Sequence, residues 1–494
     1  MGLKDDVVYL GILLISCCVA HISKHRLICS DRALLNATAG VGLILLVCGW
    51  ELVYSAVLVL GTIFIIRFAP NRWLFRLVIS WAFAYLTFTR LADRFRLPPL
   101  LPHANAVQLI MTLRVVGMAA EVEESRKKGG SAETSLRDLL LYAYNCIGLF
   151  TGPYYTLQTH LDATKAEHLH LLPTRAAVEG RLLPVPFYIA GFLILNSLFP
   201  LQEMRTEEFL RRSSVLWRVA YSVPVFQAMK LRVYSAWHLA EVACHLAGLG
   251  AYPKASQPRT GQGPTKPLPQ NLAQTKEWSW ETIRNVDPYN CELERSFRGG
   301  MKAWNRTVQF WLAHFIYAKA PKSIRMSLTM CVSALWHGVH FGYAASFLTI
   351  PLAQAAEDAV TPFLSKPQLG DQKPEKWDGI AWLPPSSPYG PERRCLPIRL
   401  LDCCLLFFAD FYCFNGRSHY AIIVACPTGS PSEYQVRNLG LPEITSGNPL
   451  LWRDEKGWNV TSGLWLEVFW MTPIPSVAAS SMNEIHVKVE DYFN

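Results

Sequence analysis

Long apolar stretches recur through the first 350 residues, and they constrain the fold more than any other feature of the chain. A helix that crosses a bilayer needs roughly 20 mostly apolar residues. The clearest stretches cover about residues 7–22, 35–49, 53–68, 73–89, 185–200, 215–229, 231–250 and 326–350, with shorter or more polar candidates at 105–120, 137–153 and 305–317. We therefore predict an all-α, polytopic transmembrane protein with about 9–11 membrane helices.

The composition supports a membrane protein. Hydrophobic residues make up 51% of the chain and charged residues 17%, whereas soluble proteins carry about a quarter charged residues. The net charge of +9 suits anionic lipid headgroups or phosphorylated substrates, and the apolar bulk argues against a nucleic-acid partner. The 13 scattered cysteines include no CxxC pair, so we interpret them as small apolar fillers rather than zinc ligands.

Two segments look unsuited to face lipid. Residues 105–125 contain Gln108, Arg114 and Glu121, and residues 144–160 contain Gly152-Pro153, which interrupts a helix. Irregular or polar backbone at membrane depth is tolerated only inside protein or beside a wet cavity. These segments predict an internal chamber surrounded by membrane helices and by re-entrant or interfacial helices.

The chain divides by composition into three parts. Residues 1–360 form the predicted membrane-embedded domain, in which the Pro-, Gly- and Gln-rich segment 251–276 is a predicted flexible loop. Residues 361–397 are a Pro-rich linker. Residues 398–494 are an atypical C-terminal segment that we expect to be poorly ordered or aberrant.

The stretch "SALWHGVHFGY" (333–343) places His337 and His340 in a very apolar environment. An ionisable side chain within a membrane helix is a functional-site hypothesis by default. The alternative is a structural histidine bonded to a carbonyl or to Ser333, one turn earlier. Gly338 and Gly342 allow close approach of a ligand or of another helix. The residues alone leave both interpretations open.

A second candidate is the segment 299–317, which has an apolar face at helical spacing with Asn305 at its edge. Between residues 281 and 325 there are eight basic and four acidic side chains. Such a basic rim suits an amphiphile with an anionic head, but a helix end that reaches the membrane interface has the same charges.

Two further groups of histidines are poor candidates for a functional site. His238, Glu241 and His245 fall on one helical face with a spacing that can bind zinc, but no further strong ligand is near in sequence, so we expect no metal. His160, His168 and His170 lie in a polar stretch and are predicted to belong to a solvated loop.

Several motifs together resemble the membrane-bound O-acyltransferase family. "WNRTVQFWL" (304–312), followed by "SALWHGVHFGY", matches the family's pairing of an Asn with a later His in an apolar helix. Its lysophospholipid acyltransferase branch, above all the enzymes acting on lysophosphatidylinositol, is similar in "NAVQLIMTLRVVGMAAEV" (105–122), "FTGPYY" (150–155), "WETIRNVDPYN" (280–290) and "SFLTIPLAQAAE" (346–357). The resemblance covers about residues 5–360, and the chain departs from the family from about residue 366.

The resemblance implies transfer of a fatty acyl group from acyl-CoA, a co-substrate, to a lysophospholipid hydroxyl in the endoplasmic reticulum membrane, without a cofactor. It assigns the catalytic base to His337 and an orienting or polarising role to Asn305, and it gives His340 no catalytic role. Two alternatives stay open. One is an acyltransferase of the same fold with another acceptor, such as a different lysolipid, a sterol, a diacylglycerol or a protein. The other is a non-catalytic membrane protein or an isoform made inactive by its altered C-terminus.

Overall fold

A computed structural model describes residues 3–24, 31–129, 135–166, 168–269, 271–294 and 296–364. The first helices in chain order are α1 (Leu3–Lys24), α2 (Arg32–Cys48), α3 (Leu52–Phe68), α4 (Leu74–Arg90), α5 (Pro102–Lys127), α6 (Leu136–Ala143), α7 (Leu157–Lys165) and α8 (Thr174–Leu182). They are followed by α9 (Val185–Leu198), α10 (Glu207–Arg212), α11 (Val215–Ala247), α12 (Pro288–Leu293), α13 (Phe297–Ala303), α14 (Arg306–Phe315), α15 (Arg325–His337) and α16 (Phe341–Leu364). The helical fold class is therefore confirmed. The predicted linker beyond Leu364 and the predicted C-terminal segment 398–494 lie outside the described residues.

Four helical stretches in the described part of the chain are long and apolar enough to cross a membrane. They are Lys4–Lys24, Arg32–Phe68, Pro102–Lys127 and Thr174–Leu198. They differ in how much protein surrounds them, since 72% of the apolar window in Pro102–Lys127 is buried and only 6% of that in Thr174–Leu198. The expected total of about 9–11 spans stays a prediction.

Helix α5 lies at the centre of the described fold. Met111, Val115 and Met118 are completely buried on it, and so is the polar Thr112. Helices α3, α4 and α14 all pack against it. A helix buried on all sides needs no single apolar stripe, which explains why its polar residues are compatible with a position inside the domain, as the sequence predicts.

The two predicted spans 215–229 and 231–250 are wrong as separate helices. The structure has one continuous helix, α11, that contains Pro224. The sequence suggests a break at Lys230, but the Lys230 ammonium is paired with the Glu292 carboxylate at 2.8 Å. The pairing lets the charge lie within the protein, and because lysine is itself a good helix former, it does not end the helix.

Described residues of the segment 251–276 contact the rest of the fold through a short strand pair and a side-chain hydrogen bond. Tyr252 and Pro253 form strand β1, which pairs antiparallel with β2 (Trp278–Ser279). The hydroxyl of Tyr252 donates to the Asp162 carboxylate at 2.7 Å, which ties the segment to α7. Its predicted flexibility stays a prediction.

Candidate active site

His337 is the last residue of α15 and is half-buried. The predicted span 326–350 is therefore wrong as one helix, because the backbone leaves the helix at Gly338 and α16 begins only at Phe341. A Cβ atom at Gly338 would overlap the ring of Tyr343. Because Gly338 has no side chain, the Tyr343 ring packs against the backbone at this break. His337 therefore lies at a helix end rather than within a helix.

The imidazole of His337 lies among aromatic rings. Its ring centre is 4.8 Å from that of Phe347 at an interplanar angle of 26°, and 4.6 Å from that of Trp336 at 78°. The ring of Tyr343 lies 6.1 Å away at 21°. Among the described residues, neither ring nitrogen of His337 has a hydrogen-bond partner, so both are available to a bound substrate.

Asn305 lies in a second break, between α13 and α14. Its backbone is in the left-handed region, with φ 47° and ψ 46°, and its side chain does not cap α14. Asparagine tolerates this region better than most residues. The prediction of one helical segment over 299–317 with Asn305 at the edge of its apolar face is therefore wrong, since Asn305 precedes α14 and its side-chain amide does not cap that helix.

A buried hydrogen-bond network fixes the chain just after Asn305. The amide of Arg306 donates to the Asn285 carbonyl at 2.7 Å, and the Thr307 hydroxyl donates to Asn285 Oδ1 at 2.6 Å. Thr307 Oγ1 in turn accepts from the amide of Tyr154 at 3.1 Å. Thr307 and Tyr154 are completely buried and Asn285 almost completely. The network therefore holds the left-handed turn from one side.

The residue before Asn305 is held by aromatic packing. The ring centre of Trp304 is 4.7 Å from that of Trp237 and 5.8 Å from that of Tyr234, with edge-to-face angles in both pairs. Such arrangements are favoured by the charge distribution of aromatic rings. Asn305 is thus placed between an aromatic anchor on α11 and the polar network around Asn285.

Helix α14, which begins directly after Asn305, packs against α15, which ends at His337, and both helices are anchored on α5. The indole Nε1 of Trp311 in α14 donates to the Leu113 carbonyl at 3.1 Å, and Nε1 of Trp336 in α15 donates to the Leu109 carbonyl at 3.0 Å. The two carbonyls lie one helical turn apart. No hydrogen bond joins Asn305 directly to His337 in the described residues, so any joint action would pass through a substrate.

Arg114 of α5 forms hydrogen bonds with the irregular segment 144–156. The Gly152-Pro153 pair in the sequence predicts that this backbone is irregular. The Arg114 guanidinium, 1% exposed, donates to the carbonyls of Ala143, Asn145 and Ile147 at 3.0, 2.9 and 2.7 Å. It also donates to the Tyr155 hydroxyl at 3.0 Å. A buried cation is tolerated when its donors are satisfied, so Arg114 organises this segment.

In the group of His160, His168 and His170, the first and the last histidine do not share one environment. The prediction that His160 belongs to a solvated loop is wrong, because it is completely buried in α7. Its Nδ1 accepts from Asn145 Nδ2 at 3.0 Å, and burial lowers its pKa to about 3, so the ring is neutral. His170 is exposed, as expected for that stretch.

The side chains of His238, Glu241 and His245 each contact residues outside α11. The Glu241 carboxylate accepts from the Asn285 amide at 2.7 Å and pairs with Arg181 at 2.8 Å. His238 Nδ1 lies 3.0 Å from the Arg181 carbonyl, and His245 packs against Trp280. The trio joins α8 and residues 285–286 to α11.

The predicted basic rim between residues 281 and 325 is partly neutralised. Arg284 pairs with Asp287 at 2.8 Å, Arg298 pairs with Asp358 at 2.7 Å, and Arg306 pairs with Glu281. Lys319 lies over the ring of Phe75 at 3.4 Å. At least three of the eight cations therefore serve ion pairs within the protein.

Comparison with known proteins agrees with the motifs. The model of the membrane-bound O-acyltransferase family matches residues 40–383, so the match ends close to the predicted departure at about residue 366. The membrane-bound acylglycerophosphatidylinositol O-acyltransferase of Danio rerio is 39% identical over 402 residues, 76% of this chain and 84% of that protein. Its Homo sapiens counterpart is 36% identical over 80% of this chain and 89% of its own length, and that of Drosophila melanogaster is 31% identical over 77% and 83%. The chain therefore belongs to the membrane-bound O-acyltransferase family.

Proposed function

We propose that the protein transfers a fatty acyl group from acyl-CoA to the free hydroxyl of a lysophospholipid, with lysophosphatidylinositol as the acceptor. The observation that carries this proposal is the similarity, over most of both chains, to relatives named acylglycerophosphatidylinositol O-acyltransferases. The membrane helices suit two amphiphilic substrates. Acyl-CoA is a co-substrate in this scheme, and no cofactor takes part. The endoplasmic reticulum membrane is the proposed location.

In the proposed mechanism His337 is the general base. The lysolipid hydroxyl oxygen attacks the thioester carbonyl carbon while His337 takes the hydroxyl proton. The tetrahedral intermediate then collapses, the carbon–sulfur bond breaks, and the leaving CoA thiolate takes the proton from the imidazolium. The products are the diacyl lipid and free CoA, and the base is regenerated. The partly open position of His337 supports this role, and so do its two ring nitrogens, which have no hydrogen-bond partner among the described residues.

Asn305 is the proposed partner of this base. An amide can donate a hydrogen bond to the thioester oxygen as negative charge develops there, or it can orient the attacking hydroxyl. Three features support the role: its amide does not cap α14, its backbone is held in the left-handed region, and α14 packs on the helix that ends at His337. Residues that are fixed before the substrate binds stabilise a transition state at low reorganisation cost.

The test is an acceptor panel with the full-length protein in microsomes and radiolabelled acyl-CoA. The panel contains lysophosphatidylinositol, lysophosphatidylcholine, lysophosphatidylserine, a sterol and a diacylglycerol. We expect labelled phosphatidylinositol to exceed every other product. A different dominant product would replace the acceptor but keep the reaction class. No product above that of microsomes lacking the protein would contradict acyl transfer and favour a non-catalytic membrane protein.

A further inference from the structure

We propose that Arg90 is a positioning residue for His337, because its guanidinium fixes the end of α15 on which the imidazole is carried. This inference rests on the proposed function, in which His337 is the base. Arg90 is the last residue of α4 and lies more than 240 positions from His337 in sequence. Its role therefore depends on the packing of α4 against α15.

The guanidinium bonds to two successive backbone carbonyls of α15. Nη1 donates to the Leu335 carbonyl at 3.1 Å, and Nη2 donates to the Trp336 carbonyl. The planar guanidinium presents donors in a fixed fork, which suits two acceptors side by side. Arg90 thus contacts the backbone of the two residues that directly precede His337.

These carbonyls need an outside partner because the helix stops. The last four carbonyls of a helix accept no hydrogen bond within the helix, so they need N–H groups from the following turn or from elsewhere. The Gly338 amide bonds to the Ala334 carbonyl at 2.9 Å, but the backbone of Gly338 itself is extended, with φ 177° and ψ 172°, and leaves the helix there. Arg90 supplies the donors that Val339 and His340 would supply in a longer helix, and its positive charge suits the negative end of the helix dipole.

The same bonds orient the catalytic side chain. The Trp336 carbonyl belongs to the peptide plane that ends at the Cα atom of His337, so a bond to this oxygen restrains the plane from which the imidazole side chain projects. Phe347 and Trp336 then restrain the ring itself. Loss of Arg90 would release the plane but leave the imidazole and the aromatic rings chemically unchanged.

A purely structural tie between α4 and α15 would behave differently from a positioning residue. It would lower the thermal stability and the amount of folded protein, and substrate binding would change together with turnover. A positioning residue affects the chemical step, so kcat falls while KM and the melting temperature change little. A misplacement of about 1 Å can lower a rate about 100-fold.

The experiment compares the purified full-length protein with Arg90→Gln, Arg90→Lys and His337→Ala. Arg76→Gln is the matched control, because Arg76 is exposed on the same helix. We expect kcat to fall about 100-fold in Arg90→Gln and about 10-fold in Arg90→Lys, with KM for acyl-CoA and for lysophosphatidylinositol within about 2-fold of wild type. Arg76→Gln should match wild type.

Wild-type kcat in both Arg90 variants, with His337→Ala inactive, would overturn the role of Arg90 and leave the proposed function intact. If Arg90→Gln does not fold, Arg90→Lys decides: reduced kcat at an unchanged melting temperature supports the proposal, and unchanged kcat overturns it. A loss of kcat that only follows the loss of folded protein would also overturn it. A wild-type protein that acylates no acceptor would contradict both proposals.

Discussion

The indole nitrogen of Trp336 donates to the backbone carbonyl of Leu109 at 3.0 Å, and this bond ties the immediate neighbour of His337 to the most central helix. One turn along α5, Trp311 makes the same kind of bond to Leu113 at 3.1 Å. The two tryptophans form a matched pair, because both are buried and both donate to a carbonyl of α5. They differ in their distance along the chain from the proposed base.

We therefore expect Trp336→Phe to lower kcat about 10-fold and Trp311→Phe to leave it within about 3-fold of wild type. Both variants keep an aromatic ring and lose one donor, which corresponds to about 1 kcal/mol of stability in each. Melting temperatures and kcat of the two purified variants check this. A larger loss of kcat in Trp311→Phe would contradict the proposed importance of the Trp336 anchor.

Gly338→Ala should disturb the break after His337, because the new methyl group would overlap the Tyr343 ring. We expect activity to fall at least about 10-fold, since the overlap displaces either the ring or the backbone that follows the base. The double variant Gly338→Ala/Tyr343→Ala removes the overlap and should be more active than Gly338→Ala alone. Strictly additive effects in this double-mutant cycle would show that the two residues are not coupled.

Thr307→Val should weaken the network behind Asn305. The substitution keeps the shape of the side chain but leaves the Tyr154 amide without its buried acceptor, at a cost of about 1–3 kcal/mol. Asn285 Oδ1 loses its 2.6 Å bond from the hydroxyl and keeps the longer bond from the Thr307 amide at 3.4 Å. Thr307→Ser retains the hydroxyl and is the control. We expect the melting temperature and kcat to be lower in the Val variant than in the Ser variant. Equal values would show that the network does not support the site.

The stability of the protein should fall in acid partly through His160. Burial lowers its pKa from 6.5 to about 3, so the folded state keeps it neutral while the unfolded state takes up a proton below about pH 6.5. This contribution to stability is present above pH 6.5 and is lost as the pH falls toward 3. One such proton changes stability by about 1.4 kcal/mol per pH unit.

His160→Gln should accordingly flatten the decline of the melting temperature between pH 7 and pH 5, and substitution of the exposed His170 by Gln should not. Parallel curves for wild type and His160→Gln would contradict a neutral buried His160. The comparison of two variants removes the contribution of other titrating groups, which is common to both.

The sequence alone predicts the helical membrane fold because apolar runs of membrane length are a local property of the chain. It also predicts the burial of α5 and the irregular segment at Gly152-Pro153, since misplaced polar residues and a proline are visible in one dimension. The break at Gly338 is missed because the stretch around it is mostly apolar and no proline marks it. Whether a glycine ends a helix depends on what packs against it, here the ring of Tyr343.

The supports of the candidate site are long-range contacts, and no sequence pattern reveals them. In the sequence, Arg90 is one of several basic residues close to a loop. Asn285 lies in the motif "WETIRNVDPYN", and nothing near it in the sequence indicates its role. His160 looks solvated because its neighbours in sequence are polar, yet it packs beside Asn145 in the interior. Each role is created by an element that lies far away in the chain and close in the fold.

The role of His337 as the general base is tested most directly by comparing His337→Ala with His340→Ala. His337 ends α15 and His340 lies three residues further on, but His340 is exposed and His337 lies between Trp336 and Phe347. The measurement is kcat for acyl transfer from acyl-CoA to lysophosphatidylinositol by purified protein of equal melting temperature. We predict a loss of at least about 100-fold for His337→Ala and less than about 3-fold for His340→Ala. Wild-type activity in His337→Ala would contradict the account.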